Sequence, residues 1–223
     1  MILRKTLNCF FVLIILCTIF CDCKTTGYFS GTADLTIMIV DENGTGINDF
    51  NIVLSNFNNS EKGITNRNGI CIFKNIPSGQ YELSGKKTGY TKLDSTQINF
   101  IDKCDVFCIR VYSGNEILST VENLFEMQNY EYGLELLDQL VCEKTSSLYS
   151  AVCFYKAYSY AVMEKKGNMR KEIRRMKTSD VIPFTQYSLA VEQLFEKLKK
   201  EHFEENSKEQ SEESSYDEDE SFY

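Results

Sequence analysis

A chain of 223 residues, 43% hydrophobic and 25% charged, has room for one large folded unit or two small ones. Its net charge of −8 excludes a nucleic-acid binder, which needs clustered lysine and arginine. One histidine and no tryptophan exclude histidine-based triads, multi-histidine metal centres and a tryptophan platform for sugars.

Arg4 and Lys5 precede an almost unbroken apolar run from Phe10 to Phe20, the pattern of a secretory signal over residues 1–20. The run is shorter than the roughly 20 apolar residues of a membrane-spanning helix, although a short uncleaved anchor is an alternative. Leu16-Cys17-Thr18-Ile19-Phe20-Cys21-Asp22-Cys23-Lys24 resembles a bacterial lipoprotein signal. In that family a cysteine directly after the apolar run becomes the lipid-carrying first residue of the mature chain. Cys21 holds that place, so the resemblance implies acylation of Cys21, as with palmitate, and a membrane anchor in the cell envelope. Phe20 departs from the usual Gly, Ala or Ser, a position at which spirochaetes are looser. The other reading is an ordinary cleaved peptide and a secreted product. Either way the mature chain is expected outside the cytoplasm.

Cys71, Cys104, Cys108, Cys142 and Cys153 remain in the mature fold, an odd number in a compartment where pairing is permitted. On a single strand Cys104 and Cys108 would lie roughly 13 Å apart at about 3.3 Å per residue, too far to bridge. A bridge from Cys71 to one of them and a set of buried free thiols both stay open.

Residues 21–32 read as a polar tether. From 33 to 112 the period is that of strands: Leu35–Val40, Phe50–Leu54, two strands in the stretch from Thr65 to Lys86, Gln97–Ile101 and Val106–Tyr112. Asn68-Gly69 supplies the backbone freedom of a tight hairpin turn, and Pro77-Ser78-Gly79 reverses the chain again. Seven or so short strands with turns between them predict an antiparallel β-sandwich.

Val40-Asp41-Glu42-Asn43-Gly44, Ile52-Val53-Leu54, Thr65-Asn66-Arg67-Asn68-Gly69, Phe73-Lys74-Asn75-Ile76-Pro77-Ser78-Gly79-Gln80-Tyr81 and Gly89-Tyr90 follow one another in a recognisable order. This resembles the carboxypeptidase regulatory-like, or transthyretin-like, domain, a relative of the collagen-adhesin B-type repeats. The resemblance implies a non-catalytic binding or spacing role and carries over no catalytic residue. Asn66 stands where the family has Asp, and Cys71 lies on a strand that usually carries two aromatics. Asp41-x-Asn43-x-Thr45-Gly46 matches the front of a calcium-binding EF-hand loop. The twelfth position, however, is Ile52 rather than Glu, so a turn is expected.

At Ser113-Gly114-Asn115 the period changes to that of helices. Ile117, Leu118, Val121, Leu124 and Phe125 mark the first, and Leu134 to Val141 the second, after a break at Gln128-Asn129. Tyr149 to Ala161 mark a third, which Gly167-Asn168 is expected to end. A short basic helix from Met169 to Lys177 follows, and a fifth from Phe184 to about Phe203 is entered at Pro183. Phe125-Glu126-Met127-Gln128-Asn129-Tyr130-Glu131-Tyr132-Gly133-Leu134 resembles the middle of a tetratricopeptide repeat, with Gly133 in place of the small Ala. An unrelated bundle of helices is the alternative for residues 115–203. Residues 204–223, acidic and almost without apolar groups, are expected to be disordered.

The expectation is therefore α+β in two segregated parts, a sandwich over 33–112 and a helical-hairpin region over 115–203. Asp34 and Asp41 are a formal carboxylate pair for glycoside chemistry, but no sugar platform accompanies them and no enzyme and no cofactor are expected. The functional expectation is an envelope lipoprotein that binds, adheres to or scaffolds proteins. Tyr130, Tyr132, Tyr149, Tyr155, Tyr158 and Tyr160 are the candidate binding face, with core packing as their alternative role. A carrier of a small ligand or glycan, using a cavity in the sandwich, is the second reading.

Overall fold

The computed structural model describes residues 29–177 and 187–201. The signal segment, Cys21, most of the tether, Pro183 and the acidic tail lie outside the described residues.

Seven strands follow in chain order: β1 (Thr32–Val40), β2 (Asn51–Ser55), β3 (Ser60–Ile64), β4 (Ile70–Pro77), β5 (Gly79–Lys86), β6 (Leu93–Phe100) and β7 (Val106–Arg110). They form two sheets, ordered β4-β1-β7 and β3-β2-β5-β6. Alternate residues point inward, as the period of two requires. Leu35, Ile37 and Ile39 of β1 meet Ile52, Leu54, Leu83 and Phe100 of the larger sheet in one buried cluster.

Three features differ from the sequence expectation. First, the sandwich is mixed, because β7 lies parallel to β1, from Thr36 opposite Val106 to Val40 opposite Arg110. The chain leaves β6 at an edge of the larger sheet and crosses to the smaller one. Second, β3 was not expected. Ser60-Glu61-Lys62-Gly63-Ile64 has no apolar alternation and is held by antiparallel pairing to β2 at a sheet edge. Third, the two turns of the Thr65–Leu83 stretch are not hairpins. Asn68-Gly69 carries the chain from β3 in the larger sheet to β4 in the smaller, and Pro77-Ser78-Gly79 carries it back.

These turns explain the motif residues. Gly69 takes φ 77°, and a Cβ there would collide with the Ile39 carbonyl and Gly46. Asn66 Oδ1 accepts from the backbone N–H groups of Asn68 (2.9 Å) and Ile70 (3.1 Å). A carbonyl oxygen suffices for that, so the Asn66 amide shapes the turn without a carboxylate. The Tyr81 hydroxyl donates to the Pro77 carbonyl at 2.8 Å and closes the second turn. Thr65 is buried, donating to the Ile47 carbonyl and accepting from the Phe50 N–H.

The helices are α1 (Gly114–Glu126), α2 (Tyr130–Gln139), α3 (Ser147–Val162) and α4 (Lys166–Lys177), and residues 187–201 are helical. Ser113, Asn129 and Ser146 cap the first three, their side-chain oxygens accepting from N–H groups in the first turn. Gly167-Asn168 does not end α3 but lies inside α4. The reversal comes earlier, at Glu164, with φ 55°. Gln128, with φ 59°, ends α1 in the same way. In both places the left-handed residue donates to the carbonyl three back and its successor to the one five back. This is the Schellman arrangement without its usual glycine. The two reversals stand about 36 residues apart, against about 34 for a tetratricopeptide repeat.

The two parts have separate buried clusters, and among the helices there are two: Ile117, Val121, Leu137 and Val152 form one, and Cys153, Ala157, Met169, Ile173, Val191 and Phe195 belong to the other. Backbone pairing joins the sandwich to the helices. The loop between β5 and β6 is gripped on one side by residues 112–114 and on the other by residues 139–141. Gly89 N–H donates to Val141 O and Lys92 N–H to Gln139 O, both at 2.8 Å, while Thr91 N–H donates to Tyr112 O at 2.9 Å. Ser113 adds two bonds to Glu42, from its hydroxyl (2.7 Å) and from its N–H (3.1 Å). Gly89-Tyr90, the last motif of the family resemblance, thus sits in this joint.

Candidate functional site

α1 carries Glu122, Phe125 and Glu126 on one face, at helical spacings of three and four. α3 carries Phe154, Tyr155 and Tyr158 on a facing stripe. Together these six line an open cleft of about 300 Å³. Its floor is aromatic. The Phe125 and Tyr158 rings stack at 5.7 Å with 18° between their planes. Phe125 also meets Tyr130 at 5.2 Å and Tyr155 at 6.0 Å, and Phe154 meets Tyr155 edge-on at 5.5 Å and Tyr187 at 5.5 Å.

Gly133 of α2 permits this arrangement, because a Cβ there would stand 2.7 Å from Phe125 Cε1. The Tyr155 hydroxyl donates to Glu122 and ties α3 to α1 across the cleft. Burial, and then the bond to the Glu122 carboxylate, push the Tyr155 phenol up to about 12. It therefore stays a neutral donor at physiological pH.

The six tyrosines expected to share one face divide. Tyr130, Tyr155 and Tyr158 come together around Phe125. Tyr149 and Tyr160 turn to the other helical cluster, Tyr149 beside Cys153. Tyr132 is 49% exposed on α2. Spacings of three and four on α3 place Tyr155 and Tyr158 together and send Tyr149 and Tyr160 round the helix. Phe125, Phe154 and the two glutamates were not among the expected site residues. A local charge count finds the glutamates: between Arg110 and Lys144 the chain has seven acidic residues and no lysine, arginine or histidine.

Other candidate groups are otherwise engaged. Asp34 accepts from Lys74 Nζ at 2.6 Å, and this bond first, then a bond from the Asn75 N–H, holds its carboxyl below the ordinary value despite some burial. Asp41 accepts from the N–H groups of Asn43 and Thr45, shaping the turn that resembles a calcium loop. The two aspartates stand near opposite ends of β1, roughly 23 Å apart at about 3.3 Å per residue. Glycoside hydrolysis needs about 5–9.5 Å, so the formal pair is not one. Cys71, Cys104, Cys108, Cys142 and Cys153 are all free thiols. Cys104 and Cys108 are exposed, and Cys104 precedes β7 rather than sharing it. In the sandwich interior Leu35, Ile37, Phe50, Leu83 and Phe100 are fully buried in one cluster.

No family model and no curated protein matches the sequence. Among solved structures, the chain is similar to the Bacillus anthracis TIE protein at 20% identity and TM-score 0.34, over 37% of this chain and 17% of that one. It is similar to the group B streptococcus pilus 2b backbone protein at 20% identity and TM-score 0.34, over 39% and 43%. A DUF3823 family protein from Bacteroides ovatus gives 17% identity and TM-score 0.31, over 36% and 44%. The chain spans less than half the length of each of these. Likenesses at this level carry no argument about function, which rests on the side chains described above. No helix among the described residues is long and apolar enough to cross a membrane.

Proposed function

We propose that the chain is a non-catalytic envelope lipoprotein that binds or scaffolds proteins. The cleft between α1 and α3 is its recognition site, and the sandwich is the spacer that carries it. One observation supports this reading above the rest: four aromatic rings and two carboxylates line an open cleft between two helices. Aromatic side chains left at a surface hollow are the usual anchors of protein recognition. The Cys21 signal and the transthyretin-like motif order supply the lipid anchor and the spacer role in this reading.

A photoreactive amino acid at Met127, which is 76% exposed beside Glu126, tests it in an expressing bacterium. A discrete crosslinked product that fades in the Tyr158→Leu variant is expected. Crosslinking unaffected by Tyr158→Leu would refute the assigned face. Radiolabelled palmitate should enter the wild type and not Cys21→Ala; labelling of the variant would remove the anchor.

A further inference from the structure

We infer that the cleft between α1 and α3 takes an arginine side chain from a basic segment of a partner protein. This rests on the binding role proposed above and names the chemistry of what is bound. Three observations converge on a planar cation.

The walls are aromatic: Phe125 and Tyr158, stacked on each other at 5.7 Å, line the cleft with Phe154 and Tyr155, and a flat guanidinium stacks favourably on such ring surfaces. Elsewhere in the molecule such faces are already occupied: Lys87 lies over Tyr90, Lys103 over Phe29 and Lys166 over Phe195. Among the described residues no lysine or arginine lies over the rings of the cleft.

The rim is acidic. Glu122 and Glu126 stand one turn apart on α1. Glu122 Oε1 is held by Tyr155, which fixes that carboxylate and leaves its second oxygen open. Glu126 is exposed and has no ion-pair partner among the described residues. A guanidinium offers donors in a planar fork that matches a carboxylate, so stacking and forked bonding can be satisfied together.

The surroundings match. The stretch that supplies α1 and α2 carries only acidic charge; Asp138 and Glu131 are paired with Lys156 and Lys165, and the acids left over, Glu122 and Glu126 among them, draw a basic segment and repel an acidic one. A neutral apolar peptide would gain nothing from that field.

The test uses the full mature chain and two peptides, acetyl-Ala-Arg-Ala-Arg-Ala-amide and its counterpart with citrulline at both arginines. Citrulline keeps the planar shape, exchanges one nitrogen donor group for a carbonyl acceptor and loses the charge. Binding is read by heteronuclear NMR, with tyrosine fluorescence as a second signal in a chain without tryptophan. The arginine peptide should shift the Phe125, Phe154 and Tyr158 resonances, and citrulline should weaken binding about tenfold. Glu126→Gln, at an exposed position, should weaken it several-fold without changing the melting curve, and Tyr158→Leu should weaken it as well. Added salt should weaken the arginine peptide more than the citrulline one. Equal binding of the two peptides, shifts confined to other residues, or an unaltered Glu126→Gln variant would each overturn the inference. Tighter binding of tetramethylammonium than of the arginine peptide would also overturn it, in favour of a quaternary-ammonium site, and so would peptide-induced or spontaneous self-association through the basic α4. If the peptides fail while the Met127 crosslink still depends on Tyr158, the arginine assignment falls and the binding role stands. If that dependence is absent, the binding role falls as well.

Discussion

Ser113→Ala is the sharpest probe of how the sandwich and the helices are joined. One oxygen makes two bonds: it accepts from the Glu116 N–H at 3.3 Å, capping α1, and its hydroxyl donates to Glu42 Oε1 at 2.7 Å. The bond from the backbone N–H of residue 113 to Glu42 Oε2 survives the substitution. Loss of the cap costs about 1 kcal/mol. Loss of a bond to a carboxylate costs about 1.5–3 kcal/mol, with the low end appropriate because Glu42 and Ser113 are only half-buried and water can replace the donor. The total, about 2.5 kcal/mol, moves a urea midpoint down by about 1.2 M at a slope of about 2 kcal/mol per M. Far-ultraviolet circular dichroism follows the helices, and hydrogen exchange of the β2 and β5 amides follows the sandwich. Both should weaken, because the bond spans them. The double variant with Glu42→Gln should be less destabilised than the sum of the two singles. A loss below about 0.5 kcal/mol, a sandwich indifferent to the change, or simple additivity would refute the reasoning.

Acid should loosen the same joint. Burial works against the Glu42 charge, but bonds from the Ser113 hydroxyl, its own N–H and the Ser113 N–H outweigh it and hold the carboxyl below its ordinary 4.5. A depressed value means the contribution is complete above 4.5 and is lost as pH falls through the lower, folded value. Melting curves taken down to about pH 3 should therefore fall less steeply in Glu42→Gln, and an identical acid slope would contradict this. Gly69→Ala should cost about 2 kcal/mol or more, since the residue has φ 77° and a Cβ would strike backbone at Ile39; an unchanged melting temperature would show that the two turns separate freely. Alkylation mapped by mass spectrometry should modify Cys104 and Cys108 in the native chain and spare Cys71 and Cys153 until denaturant is added. Burial pushes the Cys153 thiol up to about 11 and the Cys71 thiol upward too, so rapid native labelling of either would be inconsistent with the packing.

Much of the fold was legible in residue periodicity. Leu35, Ile37 and Ile39 alternate as an inward-facing strand must, and Ile117, Val121 and Phe125 keep helical spacing. What escaped has physical reasons. Alternation is the same for parallel and antiparallel neighbours, so the β1–β7 pairing is silent in sequence. β3 is polar on both faces because it lies at an edge, and only its bonds to β2 make it a strand. Gly167 was expected to stop a helix because glycine usually fills the left-handed position; here Glu164 and Gln128 fill it. Of the six side chains that line the cleft, Tyr155 and Tyr158 were readable in the sequence. The whole-chain charge concealed the rest, since the basic α4 offsets the acid of α1 and α2.

The parallel pairing of β1 and β7 also decides how the molecule bears load. The chain enters the sheet at residue 32 and leaves β7 at residue 110, at opposite ends of adjacent strands running the same way. Tension between the N-terminal side and the helices thus slides these strands lengthwise past each other. The rungs from Thr36–Val106 to Val40–Arg110 must then yield together, not one after another as in a peeled hairpin. Topology alone makes the smaller sheet a shear clasp, suited to a body held at one end and pulled at the other.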